Sequence, residues 1–422
     1  MFGYWEEYMK ILFINEVCGT GSTGKICVEL AQKYEKNGHE AKIAYGRHAY
    51  VPEQFQKYAI RIGSDLDVKL HAIKTRLTDE HGFGSKHATK KFLEWAENYM
   101  PDVLWLHNLH GYYINIEMLF EWIKKHPELE VKWTLHDCWS FTGHCSHFTY
   151  AQCNKWKKQC FECEQKGRYP KSVFMDNSVM NFQRKQKAFC GVRNLTIVVP
   201  CKWLASMVKE SFLKEYPVEV SYNSINTNIF KPTVSDFREK NGLEDKIVIL
   251  GVANVWDDRK GIQDILKLAS MLDNRYAIVL VGLSSKQVKQ ITKWNESTQK
   301  STSIKSSHLE FSRNKDEKKL SGGVAIKPDV DAMYKAITGL DTVPKPNAAV
   351  SVSHIICMQR TTNAEELAAM YTMADYFVNP TYEDTYPTVN LEAKACGTYV
   401  ITYDVGGAAE TLERGLKNEN YI

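Results

Sequence analysis

The stretch Pro380–Gly397, PTYEDTYPTVNLEAKACG, gathers residue types that handle phosphates and sugar hydroxyls. Asp384 and Glu392 are separated by seven residues. The pattern predicts Asp384 on the loop after a strand and Glu392 in the first turns of the next helix. Thr388, Val389 and Asn390 open that helix, where backbone N–H groups without intrahelical partners favour an anion. A carboxylate nearby can accept hydrogen bonds from ribose or sugar hydroxyls. Two acids flanking a phosphate site therefore read as a nucleotide-sugar pocket; acids that merely cap the helix are the competing reading.

A second candidate is the loop Gly19-Thr20-Gly21-Ser22-Thr23-Gly24-Lys25-Ile26. It has the spacing of a P-loop, yet Ile26 stands where a Mg²⁺-ligating hydroxyl is needed, and the other early strand ends in His107-Asn108 rather than an Asp. A P-loop NTPase is the weaker reading. A glycine-rich turn that offers backbone N–H groups to an anion remains open, as does a tight turn with no ligand.

The third is a run of thiols. Cys138, Cys145, Cys153, Cys160 and Cys163 fall within 26 residues, together with His144 and His147. Cys145, Cys153, Cys160 and Cys163 could close a structural zinc site around a loop poor in apolar residues; free thiols in a reducing compartment are the alternative. The fourth is basic character: Lys155, Lys157 and Lys158 interleave with Trp156, and Arg184, Lys185 and Lys187 follow. It reads as a solvated face or as a surface for anionic headgroups.

These residues need a frame, and the apolar runs supply one. Short β-branched runs at 10–17, 40–46, 102–108, 131–137 and 195–200 alternate with helical periodicity. The alternation restarts after about residue 226, with strands at 246–254, 277–282, 355–358, 375–380 and 399–403. Strand–helix alternation means βαβ units and parallel sheets. Two domains are expected, 9–225 and 226–422. Segment 286–353, Ser/Lys-rich in its middle, reads as a mobile insertion in the second, and Met1–Tyr8 as an unstructured extension.

The 380–397 stretch resembles the C-terminal signature of glycosyltransferase family 4, the retaining group 1 enzymes that include bacterial exopolysaccharide and colanic-acid-type transferases. Asp384 stands where the first Glu is usual, with Glu383 beside it, and Gly406-Gly407 and Glu410 match the trailing motif. Val255–Gly261 (VWDDRKG) resembles the family's phosphate-binding turn, with Lys260 at its lysine; Asn254 occupies the arginine position, and Arg259 is the substitute. Tyr222–Phe230 resembles the interdomain segment, and His136-Asp137 the histidine that faces the donor sugar.

The resemblance implies a GT-B fold, two Rossmann-like α/β domains with parallel sheets facing across a cleft. It implies an N-terminal domain that binds a glycan or lipid-linked acceptor and a C-terminal domain that holds a nucleotide-diphosphate sugar. Glu392 would hold the ribose. Asp384, Thr388 and Gly21 would contact the donor, Lys260 and Arg259 would neutralise the diphosphate, and His136 and Lys260 would act in catalysis with no cofactor. Same-face attack, with the departing phosphate oxygen taking the acceptor proton, is the mechanism usually ascribed to the family. A degenerate sugar-nucleotide-binding protein is the non-enzymatic alternative.

Composition bounds these readings. Of 422 residues, 44% are hydrophobic and 25% charged, which excludes a disordered chain. Lys plus Arg number 54 against 50 Asp plus Glu, too balanced for a nucleic-acid partner. No apolar run reaches membrane-spanning length, the first residues do not read as a signal peptide, and eleven cysteines suit a reduced cytoplasm, with peripheral contact at the inner membrane as an option.

Overall fold

The computed structural model describes residues 8–48, 50–301, 322–343, 354–361 and 363–413. The chain divides into two compact units, Met1–Tyr222 and Asn223–Ile422.

The first unit runs β1 (Lys10–Asn15), α1 (Gly21–Lys36), β2 (Glu40–Tyr45), β3 (Ala59–Arg61), α2 (Asp65–Thr78), α3 (Lys86–Tyr99), β4 (Val103–Leu106), α4 (Ile116–Lys125), β5 (Glu130–Thr134), α5 (Ser178–Phe189), β6 (Leu195–Val199), α6 (Lys202–Glu210) and β7 (Val218–Val220). Its strands form one parallel sheet in the order β3-β2-β1-β4-β5-β6-β7. Ile11, Leu12, Phe13 and Ile14 are all fully buried. Such continuous apolar strands are what helices on both faces of a parallel sheet require. The strand order reverses between β1 and β4, which opens a crevice at their C-terminal ends. Asn15 fastens that crevice: its amide donates to Val17 O (2.8 Å), and its Oδ1 accepts from Asn108 N at 3.3 Å.

The second unit runs α7 (Phe237–Lys240), β8 (Ile247–Val252), α8 (Ile262–Ala269), β9 (Tyr276–Val281), α9 (Ser285–Ser301), β10 (Gly323–Ile326), α10 (Val330–Thr338), β11 (His354–Met358), α11 (Ala364–Met373), β12 (Tyr376–Asn379), α12 (Thr388–Ala395), β13 (Tyr399–Tyr403) and α13 (Glu410–Glu413). Its parallel sheet has the order β10-β13-β12-β8-β9-β11, and the reversal lies between β8 and β12.

The α/β expectation and the strand assignments hold, with β3, β7 and β10 added. The short edge strands β3 and β7 carry no long apolar run to announce them. Segment 286–353 is a correction. Its described parts are built into the domain rather than mobile: α9 continues to Ser301, β10 pairs with β13, and α10 buries Val330, Met333, Tyr334 and Ile337. Those four side chains sit at i, i+3, i+4 and i+7, the apolar stripe of a core-facing helix. Residues 302–321, 344–353 and most of the expected N-terminal extension lie outside the described residues.

Candidate functional site

In the second unit, the switch between β8 and β12 brings together the loops 253–261 and 380–387. Gly261 adopts φ +70°, and a Cβ there would stand 2.2 Å from Pro380 O, so only glycine lets the loops approach this closely. Tyr382 N donates to Arg259 O (2.7 Å), which ties the two backbones.

Side chains complete the join in two parallel ion pairs. Lys260 Nζ lies 2.6 Å from Asp384 Oδ2, and Arg259 Nη1 lies 3.2 Å from Glu383 Oε2. Arg259 Nε also donates to Asp257 Oδ2 at 3.0 Å. Asp257 and Glu383 raise the Arg259 pKa against the effect of burial. Glu383 is almost wholly buried, whereas Lys260 and Asp384 keep roughly a quarter of their side chains exposed. Glu383 therefore fixes the loop, while Arg259, Lys260 and Asp384 keep surface that a ligand can reach.

Helix α12 begins at Thr388, directly after Pro387, with no capping side chain on its first turn. Its first turn is held from below: Asn379 Nδ2 donates to Asn390 Oδ1 (2.9 Å), and Asn390 Nδ2 to Thr411 Oγ1 (3.0 Å). Glu392 lies one turn on and accepts from Tyr371 OH at 3.0 Å. Arg259, Lys260, Asp384, Thr388 and Glu392 thus all belong to the loops and helix at this switch point. The ion pair of Glu383 and the bracing by the Asn390 side chain are the roles that sequence reasoning missed; the adjacency of Glu383 to Asp384, mirroring Arg259 beside Lys260, is the signal.

The first unit has its own cluster at the C-terminal ends of β4 and β5. His107 Nδ1 is 3.0 Å from His136 Nε2, and the rings stack at 18°. Burial holds His136 at about 4 and His107 well below its ordinary value, so both are neutral near pH 7. His110 Nε2 lies 2.8 Å from Asp137 Oδ2. Burial pushes Asp137 up, but His110 outweighs it and holds the carboxyl at about 2, while Asp137 raises His110 against its own burial. Gly21 opens α1 with φ +64° in this same unit.

Cys145, Cys153, Cys160 and Cys163 line one pocket with His144, Phe148 and Trp156. Among the described residues, however, no group of three or more His, Cys, Asp and Glu stands as a set that could hold a metal ion. The expected zinc ligands are neighbours around a pocket, not an assembled shell. Asp79 binds His144 Nδ1 and accepts from Asn177 N (3.0 Å), so the cysteine-rich loop is also anchored to the end of α2.

The basic cluster is corrected in part: Lys157, Lys158 and Lys187 are exposed, but Trp156 and Lys185 are buried, and Lys185 Nζ donates to Trp139 O (2.7 Å) and Thr142 O (3.0 Å). Burial lowers its pKa to about 7. Arg184 is engaged by Glu117 and Glu80, Lys155 by Glu164 and Lys157 by Glu210. These residues do not form one open cationic face. No helix among the described residues is long and apolar enough to cross a membrane.

Residues 343–418 match the family model of group 1 glycosyl transferases. The putative colanic acid biosynthesis glycosyl transferase WcaC of Escherichia coli K12 is 29% identical over 175 residues, 38% of this chain and 41% of that protein. A D-inositol 3-phosphate glycosyltransferase of Arthrobacter sp. strain FB24 is 31% identical over 94 residues, 21% of this chain and 22% of that protein. The chain thus spans less than half the length of these relatives. Among solved structures, the sucrose-phosphate synthase of Thermosynechococcus elongatus shares the fold with a TM-score of 0.56 at 14% identity, over 94% of this chain and 82% of that one. Anabaena Alr3699/HepE, solved with UDP, gives 0.52 at 12% identity, over 95% and 82%. The chain resembles the group 1 glycosyl transferases in sequence over 343–418, and over nearly its whole length it shares its fold with these solved structures.

Proposed function

We propose that the chain is a retaining glycosyltransferase that moves a sugar from a nucleotide-diphosphate sugar to a glycan or lipid-linked acceptor in bacterial surface polysaccharide synthesis. The observation that carries this reading is the pair of cations, Arg259 and Lys260, held by Glu383 and Asp384 beside the uncapped first turn of α12. Departure of a nucleoside diphosphate builds negative charge on the phosphates. Fixed cations and helix N–H groups stabilise that charge without reorganising. No metal or other cofactor enters the reading.

Glu392 accepts the ribose hydroxyls and Asp384 a sugar hydroxyl; Tyr371 OH already holds one Glu392 oxygen in place. Thr388 completes the donor contacts of the second unit. His136, neutral at physiological pH, serves as a hydrogen-bonding group rather than a cation. The acceptor loses its proton to the departing phosphate oxygen as the new glycosidic bond forms on the face the leaving group vacates.

Support for a colanic-acid type of role comes from the WcaC match, and for a uridine nucleotide from the solved complexes of Alr3699/HepE. A hydrolysis screen of nucleotide sugars with acceptor omitted tests the proposal. Slow release of nucleoside diphosphate from one donor, abolished in Lys260→Ala, is the expected result; no turnover and no binding of any nucleotide sugar would overturn it.

A further inference from the structure

Helix α2 is amphipathic in the wrong sense for a helix that faces only water. His71 and Thr75 point inward and are buried. Leu66, Leu70, Ile73 and Leu77 follow at i, i+4, i+7 and i+11 and lie on the opposite side, 64%, 56%, 52% and 46% exposed. A monomer surface normally places polar residues on that outward stripe. The stripe does not end with the helix. Val173 N donates to Arg76 O (2.8 Å) and Asn177 Nδ2 to Thr78 O (2.6 Å), which fastens the segment after the cysteine-rich loop to the end of α2. That segment exposes Val173, Phe174 and Met175, with Phe174 at 69%. Contiguous exposed apolar surface of this kind marks an interaction site.

Charge indicates which partner. Lys69 and Arg76, both exposed, lie three residues from Leu66 and Ile73 and so flank one side of the stripe. Lys171 and Arg168 are exposed just ahead of Val173. The acids of the helix, Asp65 and Asp67, sit in its first turn, where Asp67 closes a capping box with Ser64 and Asp65 pairs with Arg61. The apolar stripe is therefore bordered along its length by cations, with its acids gathered at one end. Leucine, isoleucine and phenylalanine outward with lysine and arginine at the margin is the chemistry of a helix lying in the interface of an anionic bilayer.

We propose that α2 and the segment Val173–Met175 form a peripheral membrane-docking surface of the first unit. The apolar side chains enter the headgroup–acyl boundary, and Lys69, Arg76, Arg168 and Lys171 engage anionic lipid headgroups. The surface is independent of the nucleotide-sugar site, and it supplies the cationic and apolar face that the Lys155–Lys187 cluster does not.

The test is flotation of the full chain with vesicles of phosphatidylcholine alone and of phosphatidylcholine with phosphatidylglycerol. Binding is expected to the anionic vesicles and to fall with added salt. The double variant Leu70→Ser/Ile73→Ser should lower the partition coefficient by about tenfold or more, from the loss of two inserting side chains. Lys69→Glu/Arg76→Glu should lower it on anionic vesicles by about fivefold per charge removed or more. All four positions are outward-facing, and an unchanged thermal melt confirms that the fold is kept. No flotation on anionic vesicles, or flotation indifferent to both variants, overturns the proposal. So does a concentration-dependent dimer in light scattering that Leu70→Ser/Ile73→Ser abolishes, since a second copy would then be the occupant. Donor hydrolysis by the soluble variants is a separate readout, so failure of the docking surface and failure of the proposed activity remain distinguishable.

Discussion

Lys260 Nζ and Asp384 Oδ2 stand 2.6 Å apart, although the residues are 124 positions apart in the chain. Their neighbours repeat the arrangement, Arg259 against Glu383. The inner pair closes the joint between the two loops, and the outer pair remains accessible. A phosphate arriving at the N-terminus of α12 would compete with Asp384 for Lys260, leaving the carboxylate available to a hydroxyl. Lys260→Ala is therefore predicted to lower kcat more than it raises the apparent donor KM, because its charge matters most as the leaving group departs. Steady-state kinetics check this; a change confined to KM would make Lys260 a ground-state contact only.

Glu392→Gln replaces a carboxylate that can accept from two hydroxyls by an amide that accepts at one oxygen only. Loss of a charge-assisted hydrogen bond costs about 1.5–3 kcal/mol. The nucleoside diphosphate should bind roughly 10- to 150-fold more weakly, as measured by calorimetric titration. Tyr371→Phe should weaken it less, since Tyr371 OH orients Glu392 without replacing it.

Gly261→Ala tests the joint itself. The substituted residue would need φ +70° and would place its Cβ 2.2 Å from a backbone oxygen of Pro380, which cannot swing aside as a side chain can. Strain of this kind costs on the order of 1–3 kcal/mol. A lower melting temperature together with impaired donor binding is expected. An unchanged melt would mean the loops separate freely.

Acid should destabilise the first unit through His71. Its Nε2 accepts from Gly82 N (3.2 Å) and Gly84 N (3.1 Å), so Nδ1 carries the proton and donates to Ser85 Oγ at 2.9 Å. A second proton has no place between two N–H donors. Burial, with Lys74 adding to it, holds the pKa at about 4, below the ordinary 6.5. The folded value is the lower one, so the unfolded chain takes the proton first. The contribution of His71 is fully present above about pH 6.5 and is lost as pH falls toward 4, at no more than about 1.4 kcal/mol per pH unit. His136 pulls the same way. The urea midpoint should fall between pH 7 and pH 5, and His71→Gln should make that fall shallower.

Much of this was legible in the sequence, for identifiable reasons. The buried strands announce themselves because both faces are covered, and Asp384 and Lys260 lie on loops, with Glu392 on the helix that follows, whose places follow from strand order. What escaped depends on tertiary pairing. Nothing in the spacing says that Lys185 and Trp156 turn inward, because a lysine buries only when carbonyls such as Trp139 O and Thr142 O are positioned to receive it. Helix α10 is masked by composition: Val330, Met333, Tyr334 and Ile337 keep helical spacing inside a segment whose polar middle dominates its character.

The thiols give the last prediction. Cys145 and Cys163 share a hydrogen bond, which lowers Cys163 to about 7 and, together with burial, raises Cys145 well above its ordinary value. Burial also pushes Cys160 up to about 11 and Cys27 well above its ordinary value. The thiolate is the nucleophile, so reactivity follows the fraction deprotonated and its exposure. Cys163 is part-exposed, whereas Cys145, Cys160 and Cys27 are buried. Limiting iodoacetamide near pH 7.5, read by peptide mass spectrometry, should label Cys163 first and those three late. Cys145→Ala should slow Cys163 labelling, because it removes the hydrogen-bond donor that stabilises the thiolate. The zinc site expected from the sequence makes the opposite forecast. About one equivalent of zinc would coordinate Cys145, Cys153, Cys160 and Cys163 and protect all four until a chelator is added. Elemental analysis alongside the labelling decides between them: metal-free protein with a fast Cys163 establishes a reactive thiol pair, and stoichiometric zinc with four slow thiols establishes the metal.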